Sequence, residues 1–200
     1  SPGSYVVTVR DGNDCEVQLP IEIEEPDALS ASTSQTAVSC HGGSDGSATV
    51  QVQGGVAPYS YQWDNNQTDS TASNLSAGGY SVTITDANGC NLVSSVVVSE
   101  PSELLGSVTT VDASCNGASN GSATVSATGG ITPYSYQWSN GQTGTSANGF
   151  GAGMHNVTIT DANNCTSVQS FTINAPAALS ASISSSDASC NGTGSGTATA

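Results

Sequence analysis

The six cysteines of the chain are spaced with a regular period. They lie at positions 15, 40, 90, 115, 165 and 190, so intervals of 25 and 50 residues alternate and the pattern repeats every 75 residues. A fixed period of this kind is typical of a tandem array of small structural units. We therefore predict two complete repeats, 26–100 and 101–175, with the end of a repeat at 1–25 and the beginning of another at 176–200.

The segments between the cysteines recur as well. Gly46–Val50 reappears unchanged as Gly121–Val125, and Tyr5–Cys15 resembles Tyr80–Cys90. Because the two ends of the chain match parts of the same unit, we expect the chain to be a window on a longer array.

Each repeat is predicted to consist of β-strands joined by tight turns. Apolar and polar side chains alternate in Ala48–Val52, and large and small ones alternate in Tyr59–Trp63; a period of two residues indicates half-buried strands. The segments between them are rich in Gly, Asn and Asp, which favour tight turns. We place strands near 28–39, 46–53, 59–64, 80–86 and 92–99, with one or two shorter ones between 67 and 76.

This number of strands in 75 residues fits a small β-sandwich of the immunoglobulin type. Such sandwiches carry a buried Trp on the third strand, here Trp63, and a tyrosine corner before a later strand, here Tyr80. In repeat 101–175 His155 takes the place of Tyr80, so a corner hydrogen bond from a tyrosine hydroxyl is missing there. The predicted fold class is all-β, with tandem immunoglobulin-like β-sandwich repeats arranged end to end.

The aromatic residues of the third strand form a ladder on one strand face, and this ladder has two interpretations. If the rings were exposed, they would provide a platform on which sugars stack, as in a carbohydrate-binding module. A small sandwich with few large apolar residues, however, needs them in its core. We therefore favour core packing for this aromatic ladder, which comprises Tyr59, Tyr61 and Trp63 and their copies Tyr134, Tyr136 and Trp138.

The charge of the chain excludes several classes of function. There are 16 acidic residues against a single basic one, Arg10, and the formal net charge is -15. Binding to a phosphate backbone needs clustered Lys and Arg, so nucleic acid is excluded as the main partner. The two histidines, His41 and His155, occupy different positions in their repeats, and no catalytic constellation can be singled out. We expect no enzyme activity.

Metal binding is considered for the cysteines and for the acidic residues of the turns and junctions. Zinc is disfavoured because no two cysteines have ligand spacing. Calcium takes oxygen ligands, which the turn residues Asp11, Asp86 and Asp161 with Asn88 and Asn163 would supply, but Asp and Asn are also ordinary turn residues. Acids near the junctions offer a second set, although Ala175 and Ala177 replace them at the third junction. We expect no cofactor, with calcium as the alternative; the junction acids are Glu24, Glu25, Asp27, Glu100 and Glu103.

Three motifs are similar to a known family. They are CHGGSDGSATV at 40–50, GGVAPYSYQW at 54–63 and GGYSVTITDANGC at 78–90, and they recur between Cys115 and Cys165. Together they resemble the SprB repeat, which occurs in very large surface adhesins of gliding Bacteroidota. The resemblance implies export by the type IX secretion system and display as long filaments on the cell surface; a role in gliding is a narrower implication.

The pairing of the cysteines follows from the predicted topology, with an alternative left open. Disulfides are expected because the chain has the character of an exported protein. In an immunoglobulin-like sandwich the turns that carry Cys40 and Cys90 lie at opposite ends, whereas disulfide partners need Cα atoms within about 7 Å. When repeats are strung end to end, Cys40 approaches Cys165, and we favour this pair. Cys15, Cys90, Cys115 and Cys190 would then pair with other repeats. The alternative pairs are Cys40 with Cys90 and Cys115 with Cys165.

We therefore expect a stalk or filament segment of a secreted surface adhesin, stiffened by disulfides and by short junctions at Pro26, Pro101 and Pro176. Proline fixes its own backbone angle and restricts the residue before it, so such junctions leave little freedom to bend. The expected partners are neighbouring repeats, laterally associated copies and an adhesion target such as a surface polysaccharide. The segment itself is expected to contact no membrane. The alternative is a carbohydrate-binding or calcium-dependent adhesive module.

Overall fold

The structure is a computed structural model, and it describes residues 1–187, 191, 192, 194 and 196–200. Cys190 lies outside these residues. Every regular element among them is a β-strand. No helix in this part of the chain has the length and apolar character needed to cross a membrane. The chain divides into two compact units, Ser1–Pro101 and Ser102–Ala200, and each is described by itself.

The first unit begins with an exposed hairpin. Strand β1 (Gly3–Arg10) pairs antiparallel with β2 (Glu16–Ile23), in a register that places Tyr5 opposite Ile21. Its apolar side chains, such as Val7 and Leu19, are about half exposed. The hydroxyl of Tyr5 donates a hydrogen bond to the carbonyl of Ser1, four residues earlier, at 2.7 Å.

The rest of the first unit is a sandwich of two three-stranded antiparallel sheets. One sheet has the order β3-β4-β6 and the other the order β5-β7-β8. This pairing is that of strands A, B and E and strands C, F and G in an immunoglobulin-type sandwich. The strands are β3 (Ser30–Thr36), β4 (Gly46–Gln53), β5 (Ser60–Trp63), β6 (Thr71–Leu75), β7 (Gly78–Thr85) and β8 (Asn91–Val98).

The second unit contains the same sandwich, followed by a short hairpin. Its sheets have the orders β9-β10-β12 and β11-β13-β14, which correspond strand by strand to those of the first unit. The predicted all-β, immunoglobulin-like fold is therefore confirmed. The strands are β9 (Leu105–Val111), β10 (Gly121–Thr128), β11 (Ser135–Trp138), β12 (Ser146–Phe150), β13 (Gly153–Thr160) and β14 (Thr166–Ile173), and the hairpin pairs β15 (Ser184–Ser186) with β16 (Thr197–Thr199).

Alternating side chains build the core of each sandwich. In β4 the residues at positions 46, 48 and 50 are buried, while their neighbours are less so, as the period of two residues predicts. Trp63 and Trp138 are each 1% exposed and belong to the core clusters of their sandwiches. The indole of Trp63 donates to the carbonyl of Asp69, and that of Trp138 to Gly144, both at 2.9 Å. The one polar atom of each ring is thus satisfied inside the protein.

The two cores are filled differently. Repeat 101–175 buries two phenylalanines, Phe150 and Phe171, which stack edge to face at a centroid distance of 5.3 Å. It also carries Gln169 on the inner face of β14, facing Gly106 in β9. A Cβ atom at position 106 would lie 2.3 Å from Cδ1 of Ile159 and 2.6 Å from Cγ of Gln169. Glycine therefore makes the room that the glutamine side chain occupies.

The tyrosine corner is present in the first repeat and replaced in the second. Tyr80 donates from its hydroxyl to the carbonyl of Ser76 at 3.0 Å. His155 stands at the matching position, and its Nε2 lies 2.9 Å from the carbonyl of Gly151. The tyrosine hydrogen bond is missing there, as predicted, but an imidazole takes its place and packs against Phe150 with ring centroids 4.7 Å apart.

Candidate functional site

The turn between β7 and β8, which carries Cys90, is held by one carboxylate. Asp86 is 6% exposed. It accepts hydrogen bonds from the backbone N–H groups of Asn88 at 2.9 Å, of Cys90 at 2.8 Å and of Val56 at 2.9 Å. The first two bonds close the turn, and the third ties it to the loop after β4. The cysteine is therefore presented from a fixed backbone.

This arrangement recurs in repeat 101–175. Asp161 accepts from Asn163, Cys165 and Ile131, each at 2.9 Å. In the hairpin β1–β2, Asp11 accepts from the N–H groups of the residues two and four positions later, at 2.8 and 3.0 Å. The same short motif thus positions a cysteine three times in the chain.

Hydrogen bonding lowers the pKa of two of these carboxylates, Asp86 and Asp161. The N–H of Val56 lowers the pKa of Asp86 below 3.8, helped by the N–H groups of Cys90 and Asn88 and partly opposed by burial. The N–H of Ile131 lowers the pKa of Asp161 in the same way. Asp86 and Asp161 were considered above as calcium ligands, and the structure directs their oxygens to backbone N–H groups.

The chain enters each repeat beside this turn. The N–H of Gly55 donates to the carbonyl of Asp27 at 2.7 Å, and that of Gly130 to Ser102 at 2.8 Å. Gly54 has a φ of +71°, and a Cβ there would lie 2.1 Å from the carbonyl oxygen of Ala28, so only glycine allows this approach. We call this region the entry end of a repeat; it comprises 27–28, 54–56 and 86–90 in the first repeat and 102–103, 129–131 and 161–165 in the second.

The turn that carries Cys40 lies at the other end, where the chain leaves the repeat. The N–H of Val38 donates to the carbonyl of Ser99 at 2.9 Å. Glu100 accepts from the N–H of Gly42 at 2.6 Å, and its other oxygen lies 3.3 Å from Nδ1 of His41. We call this region the exit end; it comprises 38–46 and 99–100, and 113–121 and 174–176 in the second repeat.

Side chains inside the exit-end turn fix it further. Asp45 accepts from both the hydroxyl and the N–H of Ser39, and these two bonds, the hydroxyl one first, lower the pKa of Asp45. In repeat 101–175 Asn120 takes the same role and accepts from the N–H of Ser114 at 3.0 Å. There the side chain of Asn116 donates to the carbonyl of Pro176 at 3.2 Å. Both exit-end turns are thus bonded to the residues that lead out of the repeat.

The cysteines are in two states. Cys40 and Cys165 are each part of a disulfide bond, whereas Cys15, Cys90 and Cys115 are exposed free thiols. The alternative pairs within a repeat, Cys40 with Cys90 and Cys115 with Cys165, are therefore not formed. The reason is distance: the eight residues of β8 separate the two ends of the first repeat, about 25 Å at the rise of a β-strand.

The aromatic ladder contributes to the cores. Trp63 and Trp138 are fully buried, and the four tyrosines are partly buried and pack against the same clusters. The hydroxyls of Tyr59 and Tyr134 donate to the carbonyls of Gly54 and Gly129 at 2.7 and 2.6 Å. The rings therefore tie strands β5 and β11 to the entry ends, and the tryptophans present no stacking surface to solvent.

Each histidine contacts a group of its own repeat. His41 contacts Glu100 at the exit end, and His155 serves as the corner residue. Within residues 1–187 and the other described positions, no group of three or more His, Cys, Asp or Glu side chains could hold a metal ion. The junction prolines lead into or out of the sandwiches; the nearest strands begin at Ser30 after Pro26 and at Leu105 after Pro101, and Pro176 follows the last strand of its sandwich.

One pair of residues was missed by the sequence reasoning. Gln67 and Gln142 each form two hydrogen bonds to the backbone of an edge strand. The signal that would have found them is their exact spacing of one period, in a loop where most other positions differ between repeats.

Solved structures similar to the chain include one that consists of Ig domains. The N-terminal eight Ig domains of Down syndrome cell adhesion molecule, isoform 1.30.30, align over 87% of this chain and 27% of theirs, at 13% identity and a TM-score of 0.42. A C-terminal 282-residue fragment of intimin, in complex with the intimin-binding domain of its translocated receptor, aligns over 76% and 65%, at 14% identity and 0.37. A structure concerned with Dscam isoform specificity aligns over 86% and 54%, at 13% identity and 0.31.

The chain thus spans less than two thirds of each of these three structures. No curated protein matches it. The family model of the SprB repeat matches at two places, residues 32–68 and 107–143. These segments run from β3 and from β9 through the aromatic ladder to the loop that follows it. The family resemblance is therefore confirmed at these two places, each of which is similar to the SprB repeat.

Proposed function

We infer that the chain is a structural segment of a secreted adhesin on a bacterial cell surface, a stalk that spans distance and catalyses no reaction. The observation that carries this proposal is the position of the chain ends within each sandwich. The first repeat releases the chain at the end that bears Cys40, and the second receives it at the end that bears Cys165. Only residues 100–102 connect these two ends, and Pro101 is one of them.

The same connection supports the pairing of Cys40 with Cys165. A linker of three residues spans at most about 11 Å, and so short a length favours a bond between the cysteines at the two ends that it joins. Both cysteines are disulfide-bonded, while the thiols of Cys90 and Cys115 are free. We therefore assign a junction staple, the bond between Cys40 and Cys165, which joins consecutive repeats. In a longer array, Cys90 and Cys115 would form the same bond with the next repeat on either side.

The distribution of charge supports a spacer role as well. In both sandwiches every acidic residue lies in a turn or a junction, and strands β3 to β14 contain no charged residue. Like charge on neighbouring molecules keeps acidic filaments soluble and apart. The resemblance to the SprB repeat also supports two narrower proposals for the parent protein. These are export through the type IX secretion system and a role in gliding.

The staple can be tested with serine variants of the full chain. We expect Cys40→Ser to broaden the distance distribution from small-angle X-ray scattering, because only the short linker would then join the repeats. Reduction of the wild-type chain is expected to have the same effect. In both cases quenching of Trp63 and Trp138 should stay unchanged, since each core is closed without the disulfide.

Cys115→Ser is the matched control, since it replaces the equivalent residue of the other repeat, whose thiol is free. It should scatter like the wild type. If Cys40→Ser and Cys115→Ser gave the same distribution as the wild type, the staple would not stiffen the chain and the stalk proposal would lose its mechanical basis.

A further inference from the structure

The outer edge of β6 is occupied by a side chain. Strand β6 pairs with β4 on one side only, so it is an edge of its sheet. On the other side, the side-chain amide of Gln67 donates to the carbonyl of Ser73 at 2.9 Å, and its oxygen accepts from the N–H of Ser73 at 2.9 Å. One residue of an adjacent antiparallel strand would make this same reciprocal pair of bonds.

Repeat 101–175 has the same arrangement. Gln142 donates to the carbonyl of Asn148 at 2.8 Å and accepts from its N–H at 3.1 Å, on the edge strand β12. The side chain of Asn140 donates to the same carbonyl at 2.9 Å. Two repeats with different cores and different loop residues thus keep one amide in one place.

The backbone holds this amide in position. The N–H of Trp63 donates to the carbonyl of Gln67 at 2.9 Å, and Trp138 does the same to Gln142. The N–H groups of the two glutamines donate to Asn65 and Asn140, each at 3.2 Å. Both glutamines are partly buried, whereas the residues on either side of them are exposed. The amides are therefore directed at the edge and do not lie free in solvent.

An open edge strand is a template for pairing with another chain. The edge strands β3 and β8 of the first sandwich lie against each other, and the hydroxyl of Thr33 donates there to the carbonyl of Ser95 at 3.1 Å. The strands themselves contain no charged residue, so beyond the general repulsion between acidic molecules, protection of the β6 edge depends on what occupies its backbone groups.

We propose that Gln67 and Gln142 are edge-capping residues, which prevent the β6 and β12 edges from adding a strand of a second copy of this chain. Such protection matters in an array, because every repeat would expose one such edge at high local concentration. Edge capping keeps neighbouring arrays from pairing through these strands, so any lateral association would have to use other surfaces.

The test removes both amides from the full chain, with the free thiols blocked by iodoacetamide and the disulfide left intact. In Gln67→Ala/Gln142→Ala, sedimentation velocity should show self-association with a dissociation constant at least about tenfold lower than that of the wild type, because two backbone groups per edge become available. Gln51→Ala/Gln53→Ala is the matched control. It removes two exposed amides from the central strand β4, and it should sediment like the wild type.

Two further variants separate edge pairing from loss of structure. Gln67→Glu/Gln142→Glu keeps the acceptor oxygen and adds a charge at the edge, so it should remain monomeric. Adding Ser73→Pro and Asn148→Pro to the alanine variant removes the N–H groups that pairing needs, and it should abolish association. The proposal is overturned if the alanine variant sediments like the wild type, if the prolines leave its association unchanged, or if association appears only together with exposure of Trp63 and Trp138.

Discussion

At the scale of single residues, the aspartates of the cysteine-bearing turns do more than complete a turn. Asp86 and Asp161 each accept three backbone hydrogen bonds, two within their own turn and one from the loop after β4 or β10. An ionised carboxylate accepts such bonds more strongly than a neutral amide does. The turn therefore depends on the charge of one buried side chain.

We expect Asp86→Asn to destabilise repeat 26–100 at neutral pH, because the amide nitrogen of asparagine cannot accept a hydrogen bond. The pKa of Asp86 is lower in the folded than in the unfolded protein, so its contribution is present above the unfolded value of about 3.9 and is lost as the pH falls through the folded value. The difference between variant and wild type should accordingly shrink toward pH 2.

Hydrogen exchange measured by mass spectrometry checks this, with peptides from repeat 101–175 as an internal reference. Asp69→Asn is the control, since it removes the same charge from an exposed loop position. A gap between Asp86→Asn and wild type that persisted unchanged at acid pH would contradict the assigned role of the carboxylate.

At the scale of elements, alternation located five of the six strands of the first sandwich, and only β6 was placed loosely. The predicted strands at 46–53, 80–86 and 92–99 match β4, β7 and β8 within two residues, because each has one buried and one solvated face. Strand β6 has only five residues, its buried residues Ala72 and Leu75 are three apart, and its register with β4 shifts between Gly46 and Ser47. A period of two residues does not describe the burial pattern of β6. The sequence therefore placed this strand only loosely, between residues 67 and 76.

The candidate site was harder to predict than the fold, for a physical reason. Asp86 was recognised as a turn residue, but its bond to Val56 joins residues 30 positions apart and depends on how the sandwich folds. The bonds of Gln67 likewise exist only once β6 is in place. The local sequence shows which residues form a turn. Hydrogen-bond partners that are distant in the sequence can be identified only from the structure.

The packing of Gly106 in β9 against Gln169 in β14 leads to a prediction about stability. Gly106→Ala should destabilise repeat 101–175 by about 1–3 kcal/mol, because its Cβ overlaps the side chains of Ile159 and Gln169. The first repeat has Ala31 and Ser94 at the two matching positions. Adding Gln169→Ser to Gly106→Ala should therefore restore most of the lost stability, as measured by urea unfolding. Additive losses in this double-mutant cycle would show that the two positions do not compete for space.

At the scale of the whole molecule, the proposed junction staple predicts a single pattern of disulfide connectivity. Cleavage after Asp and Glu without reduction should yield one crosslinked product, in which 28–45 is bound to 162–187. Cys15, Cys90 and Cys115 should be recovered as alkylated thiols in separate peptides. Recovery of Cys40 joined to Cys90 would refute the staple, since it would require both ends of one sandwich to meet.

The unlike cores of the two repeats bear on how an array of near-copies folds. Neighbouring domains of similar sequence tend to exchange segments during folding, and misassembled hybrids result. A hybrid that packed β14 against β3 would bring Gln169 to Ala31, where the methyl group fills the space that Gly106 leaves open. The pair of Gly106 and Gln169 thus fits only between β9 and β14, and its mismatch with β3 favours the correct partner while the chain is still folding.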